Sequence, residues 1–125
     1  MTELNRLRIL VVEDDELVRA TLRLALEQQG CDVVTADDGV EGLDAVDRQP
    51  FDAVVTDVQL PRRDGIWLWR EATASRPELV GRFLFISGHP FPAPDHGSER
   101  ERFLAKPFTM VQLWVAITTI TQPER

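Results

Sequence analysis

Short runs of consecutive apolar residues alternate along the whole chain with segments of helical periodicity. The apolar runs cover residues 7–12, 33–36, 53–57, 83–86 and 103–105. Consecutive rather than alternating apolar positions are typical of strands that are covered on both faces in a parallel sheet. We therefore predict five strands. The run at 53–57 (AVVTD) is the most informative, because it passes directly from apolar residues to the carboxylate of Asp57.

The segments between these runs have the spacing of amphipathic helices. Asp15 is a candidate N-cap for the first helix, and Gly30 a candidate stop. The residues 38–41 and 109–112 have the form of capping boxes, and a third helix is predicted over residues 64–75. The predicted inner faces contain Leu17, Val18, Leu22, Ala25 and Leu26 in the first helix, Val40, Leu43 and Val46 in the second, Ile66, Leu68 and Trp69 in the third, and Met110, Leu113, Ile117 and Ile120 in the last. Trp67 is predicted on the outer face, as a rim aromatic or a contact residue.

Strands that alternate with helices predict a three-layer α/β fold with helices on both faces of a parallel sheet. The composite is a doubly wound, five-stranded sheet of the flavodoxin-like type, with the strand order 2-1-3-4-5. We expect a single domain over residues 1–125, with residues 1–6 and 122–125 as tails. A chain of this length forms a core without disulfide or metal staples.

Composition and charge exclude several classes of partner. Fourteen basic against 21 acidic residues give a net charge of -7, which argues against nonspecific binding of nucleic acid or of anionic membranes. The single Cys31 cannot form an intrachain disulfide, and we predict a small buried thiol. No apolar run approaches the about 18 residues of a membrane span, and the first residues do not resemble a signal peptide. The cytoplasm is the expected location.

Polar residues end four of the five predicted strands. Glu13 and Asp14 follow the first strand, Asp57 ends the third, Ser87 follows the fourth, and Lys106 follows the fifth. Parallel strands bring these ends to one edge, where open α/β sheets bind ligands. Crowded carboxylates attract a cation, and a few hard oxygen ligands suit Mg²⁺. Because a carboxylate is also a nucleophile toward phosphorus, the constellation predicts a phosphoacceptor site.

The motifs at these strand ends carry a resemblance to a known family. They are residues 9–14 (ILVVED), residues 54–57 (VVTD) with Leu60-Pro61 and Asp64-Gly65, residues 85–88 (FISG), and residues 106–108 (KPF). Each motif alone is weak, but together, in this order and spacing, they are highly specific. Over essentially its whole length the chain resembles the receiver domain of two-component response regulators.

The resemblance implies a role for each residue of the site. Asp57 would be the phosphorylated residue, with Asp14 as a direct Mg²⁺ ligand, Glu13 as a water-mediated ligand and the main-chain carbonyl of Gln59 as a further ligand. Ser87 and Lys106 would bind the phosphoryl group. Phe103 stands where the family keeps its switch aromatic, but it has no hydroxyl, so only the packing half of that switch is expected.

The resemblance also implies the partners. The phosphoryl donor would be a histidine kinase or a phosphotransfer protein, and turnover would be slow self-dephosphorylation, so the domain is not expected to be an enzyme in the metabolic sense.

One segment departs from the receiver pattern. Residues 89–102 contain three prolines and a glycine where a typical receiver has a helix, so we expect that helix to be short, displaced or absent. Three residues of the C-terminal helix, Val111, Trp114 and Val115, lie off its predicted inner face. Either Phe91 and the prolines cover them, or they form an exposed patch for a partner or a second copy of the chain.

Other functions compete with the phosphoacceptor hypothesis. A phosphatase with an aspartyl-phosphate intermediate would need a general acid two residues after Asp57, where the chain has Gln59. A pseudo-receiver would use only its surface, and a flavin nucleotide would be repelled by the acidic residues 13–15. Asp57 alone would be an ordinary solvated carboxylate, but the matching residues at the other strand ends argue against that. His89 and His96 are predicted to be surface histidines.

Overall fold

The computed structural model of the protein describes residues 6–88 and 102–121. Within these ranges strands and helices alternate along the chain. The strands are β1 (Arg8–Val12), β2 (Asp32–Ala36), β3 (Ala53–Asp57), β4 (Phe83–Ser87) and β5 (Arg102–Ala105). The α-helices are α1 (Glu16–Gln28), α2 (Gly39–Arg48), α3 (Gly65–Ser75) and α4 (Met110–Thr121), and a 3₁₀ turn covers Pro77–Leu79.

The sheet has the predicted topology. Its five strands are parallel and lie in the order β2-β1-β3-β4-β5. The bounds of β3 are as predicted, and each of the other strands differs at one end by one residue: β1 begins at Arg8, β2 at Asp32 and β5 at Arg102, and β4 ends at Ser87. The doubly wound fold predicted from the alternation of apolar runs and helical segments is confirmed.

Two apolar layers cover the two faces of the sheet, which explains why the strands are apolar at consecutive positions. In β1, Ile9 and Val11 pack with residues of α1 and α4, whereas Leu10 and Val12 pack with residues of α2 and α3. Because successive side chains of a strand point to opposite faces, a strand between two helical layers has no solvent-facing position. Polar chemistry is therefore confined to the strand ends.

The helices begin at the caps that the sequence predicts. The Asp15 carboxylate accepts hydrogen bonds from the amides of Leu17 and Val18. Thr109 and Gln112 form a reciprocal capping box, with distances of 3.1 Å and 2.8 Å from amide to side-chain oxygen. The box at α2 is incomplete: Asp38 accepts from the Glu41 amide, but the Glu41 carboxylate accepts from Asp37.

Three residues predicted on inner helical faces are exposed. Leu17, at 76% exposure, Val40 and Met110 each lie in the first turn of their helix. A crossover helix begins beyond the carboxyl edge of the sheet, so its first turn projects past the strands that would cover it. The predictions for these positions were wrong for this reason, whereas residues deeper in the helices, such as Leu113 and Val46, are buried as predicted.

The two tryptophans of α3 share one environment. Trp69, predicted in the core, and Trp67, predicted on the outer face, are both half-buried and pack against the same apolar cluster. The guanidinium of Arg63 lies 5.3 Å from the centre of the Trp67 ring. Trp67 is therefore a rim aromatic, one of the two roles predicted for it, and not a fully exposed side chain.

The prediction that the helix between β4 and β5 is short, displaced or absent concerns residues outside the described ranges, as do the predictions for His89, Phe91 and His96. Among the three residues of the predicted patch, Val111 is 68% exposed and Val115 is also exposed. Trp114 instead is half-buried and packs against the core. Two of the three residues are thus exposed, and the third belongs to the edge of the core.

Two further properties agree with the sequence. Cys31 is buried, and this burial raises the pKa of its thiol to about 11, so the thiol stays protonated at neutral pH. Among the described helices, none is long and apolar enough to cross a lipid bilayer.

The start of α2 fits tightly against the loop between β3 and α3, which gives a test of the packing. A Cβ atom on Gly39 would lie 2.2 Å from the carbonyl oxygen of Arg63. We expect Gly39→Ala to lower the free energy of unfolding by about 2 kcal/mol, because backbone atoms cannot move aside cheaply. Urea denaturation followed by tryptophan fluorescence measures this change.

Gly42→Ala in the same helix is the matched control. Its Cβ would meet the flexible end of Leu68 at 3.0 Å, and alanine favours the helix, so we expect a change within about 1 kcal/mol of zero. Equal stabilities of the two variants would contradict the packing described at Gly39.

Candidate functional site

The parallel register brings four strand ends together at one edge of the sheet. Val12, the last residue of β1, pairs with Thr56 of β3, which places Glu13 level with Asp57. Asp57 pairs with Ile86, and Ser87 pairs with Ala105, the residue before Lys106. Residues that are 93 positions apart in sequence, Glu13 and Lys106, therefore come into hydrogen-bond contact.

The ammonium group of Lys106 lies between two buried carboxylates. Its Nζ is 3.0 Å from Oδ2 of Asp57 and 3.2 Å from Oε1 of Glu13. The Glu13 side chain is 1% exposed, so water does not compensate its charge. Lys106 is the only lysine in the sequence, and it supplies the cation that these two carboxylates require.

The β1–α1 turn holds Glu13 and Asp14 in place. The second carboxylate oxygen of Glu13 accepts a hydrogen bond from the Asp15 amide at 3.0 Å. Arg19 of α1 donates to the Glu13 carbonyl oxygen at 2.8 Å. Because Lys106 contacts the other carboxylate oxygen, both oxygens of the Glu13 side chain have a partner. Asp14, the next residue, is exposed. Arg19 was not singled out in the sequence, where an arginine on a helix has no distinctive signal.

The backbone of Asp57 is fixed by its neighbours. A Cβ atom on Gly65 would lie 2.3 Å from the Asp57 carbonyl oxygen, so only glycine allows α3 to begin this close to β3. The Gly65 amide donates to the Val58 carbonyl at 2.8 Å, and the Thr56 hydroxyl donates to the Asp57 carbonyl at 2.9 Å. The Asp57 side chain is left facing the cleft, where its Oδ1 is 3.3 Å from the Gln59 amide nitrogen.

Three carboxylates converge on a position suited to a cation. One oxygen each from Glu13, Asp14 and Asp57 lies within 4.8 Å of the other two. They line an open cleft of about 470 Å³, together with Asp15, Gln59, Leu60, Gly88 and Lys106. A single lysine cannot neutralise three carboxylates, so the cleft is electrostatically suited to a further cation with hard oxygen ligands.

The charge balance shifts the pKa of two groups. Burial raises the pKa of Glu13, and the charge of Asp57 acts in the same direction, against the Asp15 amide and Lys106. Burial also disfavours the charged form of Lys106, but its hydrogen bonds to Asp57 and Glu13 and their charges outweigh this effect and raise the pKa of Lys106. The ammonium group therefore stays protonated through the neutral range.

The remaining predicted residues surround this cluster. Ser87 is buried at the end of β4, and its carbonyl accepts the Lys106 amide at 2.8 Å. Phe103 is half-buried and stacks on Phe85, with ring centroids 4.9 Å apart. Of the predicted site residues, Glu13, Asp14, Asp57, Gln59 and Lys106 line the cleft, whereas Ser87 and Phe103 do not. The roles of ligand, phosphoryl contact and switch remain predictions.

Comparison with known proteins identifies the class. The family model of the response regulator receiver domain matches residues 9–118, so the chain belongs to the receiver family of two-component systems. It is 38% identical over 109 residues to the response regulator receiver protein CpdR of Brucella abortus, an alignment that covers 85% of this chain and 89% of that protein. It is also 36% identical over 129 residues to the response regulator MprA of Mycobacterium leprae. That alignment covers 94% of this chain and 54% of MprA, so the chain spans about half the length of this relative.

A solved structure has the same fold. The receiver domain of the sensor histidine kinase PA1611 from Pseudomonas aeruginosa superposes with a TM-score of 0.81 at 23% identity, covering 93% of this chain and 98% of that one. That domain has a magnesium ion coordinated in its active-site cleft. Receiver domains interact with histidine kinases or phosphotransfer proteins, and this chain has the fold and family membership for such a partner.

The single lysine offers a direct test of the charge cluster. Selective isotope labelling of lysine leaves the amino group unmodified and gives one lysine side-chain NMR signal, whose pH titration reports the Lys106 pKa. We expect Asp57→Asn to lower this pKa, because it removes a negative charge that favours the ammonium form.

Asp44→Asn is the matched control, since Asp44 is an exposed carboxylate on α2 that pairs with Arg48. It should leave the Lys106 titration unchanged. An identical pKa in the wild type and in Asp57→Asn would show that the contact between Lys106 and Asp57 is absent in solution.

Proposed function

We propose that this receiver domain accepts a phosphoryl group on Asp57 in a Mg²⁺-dependent reaction. The donor would be the phosphohistidine of a histidine kinase or of a phosphotransfer protein. The observation that carries the proposal is the Lys106 ammonium group, which contacts the carboxylates of Asp57 and Glu13 within a cleft that also contains Asp14. This arrangement places a nucleophile, a fixed cation and spare oxygen ligands side by side.

The residues present fit a magnesium ion. Asp14 would bind it directly and Glu13 through water, with Asp57 and the main-chain carbonyl of Gln59 as further ligands. Three carboxylate oxygens within 4.8 Å of one another form a hard donor set of the kind that Mg²⁺ prefers. When bound, the ion would neutralise negative charge on the phosphoryl oxygens. The magnesium-containing cleft of the PA1611 receiver, which shares this fold, supports the assignment.

The transfer would proceed by attack of a carboxylate oxygen of Asp57 on the phosphorus atom. The new P–O bond forms as the P–N bond to the donor histidine breaks, and the leaving ring nitrogen keeps the electron pair. The product is an acyl phosphate on Asp57 and a neutral imidazole once that nitrogen has a proton. Lys106 would provide a positive charge for the phosphoryl oxygens, and the Ser87 hydroxyl a hydrogen bond to one of them.

The switch would begin at Ser87 and Phe103. Ser87 is linked to β5 because its carbonyl oxygen accepts the Lys106 amide, three residues after Phe103. The Phe103 ring already stacks on Phe85, so a displacement of β4 would change the packing of this ring. With no hydroxyl on Phe103, the output would depend on packing alone.

Turnover of the acyl phosphate would be slow self-dephosphorylation. The position two residues after Asp57 is Gln59, which lines the cleft but is neither an acid nor a base. For this reason we do not propose a phosphatase or any other metabolic enzyme.

A pure interaction module is the second candidate. The exposure of Val111 and Val115 on α4 favours it, because two adjacent apolar side chains at the surface suit a partner or a second copy. The buried Glu13 and its ion pair argue for the phosphoacceptor, since a surface module has no need of so costly a charge cluster.

Intact mass spectrometry tests the proposed function. We expect incubation with acetyl phosphate and Mg²⁺ to add the mass of one phosphoryl group, and hydroxylamine to remove it, because an acyl phosphate reacts with that nucleophile. The adduct should not form without Mg²⁺.

Asp57→Asn is the matched control, since it keeps the size of the side chain but removes the nucleophile. Absence of any adduct in the wild-type protein, or an adduct that persists in Asp57→Asn, would overturn the assignment of Asp57.

A further inference from the structure

The loop that follows Asp57 is tied to the start of α2 by an ion pair. This loop, residues 58–64, contains Arg62, whose Nε lies 2.8 Å from Oδ2 of Asp38. The other carboxylate oxygen of Asp38 accepts the Glu41 amide at 2.8 Å as the cap of α2. The buried carboxylate of Asp38 therefore contacts two elements, the loop of residues 58–64 and the first turn of α2.

A second contact runs parallel to the ion pair. The Gly39 amide donates to the Arg63 carbonyl at 3.1 Å, and the absence of a side chain on Gly39 allows this approach. Arg62 itself has a φ of 65°, in the left-handed region that a residue with a Cβ adopts only when its surroundings impose it. The shape of the loop therefore depends on its contacts with α2.

The same loop reaches the phosphoacceptor site at its other end. The Gln59 amide faces Oδ1 of Asp57 at 3.3 Å, and Gln59 and Leu60 line the cleft. Only two residues, Leu60 and Pro61, separate Gln59 from Arg62. Arg62 and Gln59 therefore belong to the same short loop, with the ion pair to α2 at one end and the contact with Asp57 at the other.

An ordinary ion pair on α2 provides the contrast. Arg48 and Asp44 approach to 3.1 Å, but their side chains are 74% and 57% exposed and lie on the same helix, so the contact constrains no other element. Asp38 and Arg62 join two elements, and one partner is buried. The hydrogen bond from Arg62 holds the pKa of Asp38 below its usual value, which agrees with a persistent pair.

We propose that Asp38 and Arg62 are positioning residues for the phosphoacceptor site: their ion pair holds the loop of residues 58–64 so that the main chain of Gln59 stands beside Asp57. The consequence for metal binding rests on the proposed function, in which the Gln59 carbonyl is a Mg²⁺ ligand. Neither residue would touch the phosphoryl group or the metal ion.

Variants at both partners separate this role from capping of α2. Asp38→Ser keeps an oxygen for the Glu41 amide but removes the partner of Arg62, because serine is a good N-cap with a short side chain. Arg62→Gln breaks the pair from the other side without affecting the cap. Asp38→Asn removes the charge and replaces one of the two acceptor oxygens with an NH₂ donor, so it should also break the pair with Arg62 while one oxygen remains for the Glu41 amide. Asp44→Ser and Arg48→Gln are the matched controls.

Two measurements test the proposal: hydrogen exchange of the metal-free protein, and titration of the protein with Mg²⁺ alone. Amide hydrogen exchange of residues 58–64 should become about fivefold faster in Asp38→Ser and Arg62→Gln, while the exchange of β1 and β4 stays unchanged. The Kd for Mg²⁺, measured by tryptophan fluorescence, should rise about tenfold in both variants. The controls should remain at the wild-type values in both measurements.

The outcomes are distinguishable. Wild-type exchange and wild-type Mg²⁺ affinity in both variants would overturn the proposal. Faster exchange with unchanged Mg²⁺ affinity would also overturn it, because the ion pair would then stabilise the loop without positioning the site. Failure of the wild-type protein to gain a phosphoryl group from acetyl phosphate would instead remove the proposed function, while exchange and Mg²⁺ affinity still decide the role of the ion pair.

Discussion

The contact of one ammonium group with two buried carboxylates is the interaction on which the site depends. Glu13 and Asp57 would repel each other in the metal-free protein, and burial deprives Glu13 of the water that would screen it. Lys106 relieves this repulsion from a distant part of the chain. Lys106 contacts Glu13 and Asp57 but forms no ion pair with Asp14. The three carboxylates therefore keep a net negative charge, which suits a divalent cation. In the proposed function, the same lysine would contact the incoming phosphoryl group.

The fold confines this chemistry to one edge. Strands with helical layers on both faces are almost entirely apolar, and the charged side chains of the site stand where the strands end. The loops at that edge are held by close backbone contacts, at Gly65 against Asp57 and at Gly39 against Arg63. These contacts exclude even a methyl group. The site is therefore built on a rigid frame that includes the loop of residues 58–64.

Much of the fold and of the site was predictable, because local signals carry them. Consecutive apolar runs indicated buried strands, and strand ends indicated which polar residues would meet. Exposure of Leu17, Val40 and Met110 was not predictable, since helical periodicity does not show where the sheet edge ends. The pairing of Asp38 with Arg62 had no signal either, because nothing in the sequence marks an arginine that adopts a left-handed conformation. Long-range contacts of this kind depend on how loops pack.

The most direct test of the central claim is a crystal structure of the protein with Mg²⁺ and beryllofluoride, which mimics a phosphoryl group on a carboxylate. The account predicts beryllofluoride on an Asp57 oxygen, the metal ion against Asp14 and the Gln59 carbonyl, and Lys106 in contact with a fluorine atom. Beryllofluoride bound elsewhere, or a metal ion that leaves Asp14 and Gln59 without contact, would contradict the assignment of this cleft as a phosphoacceptor site.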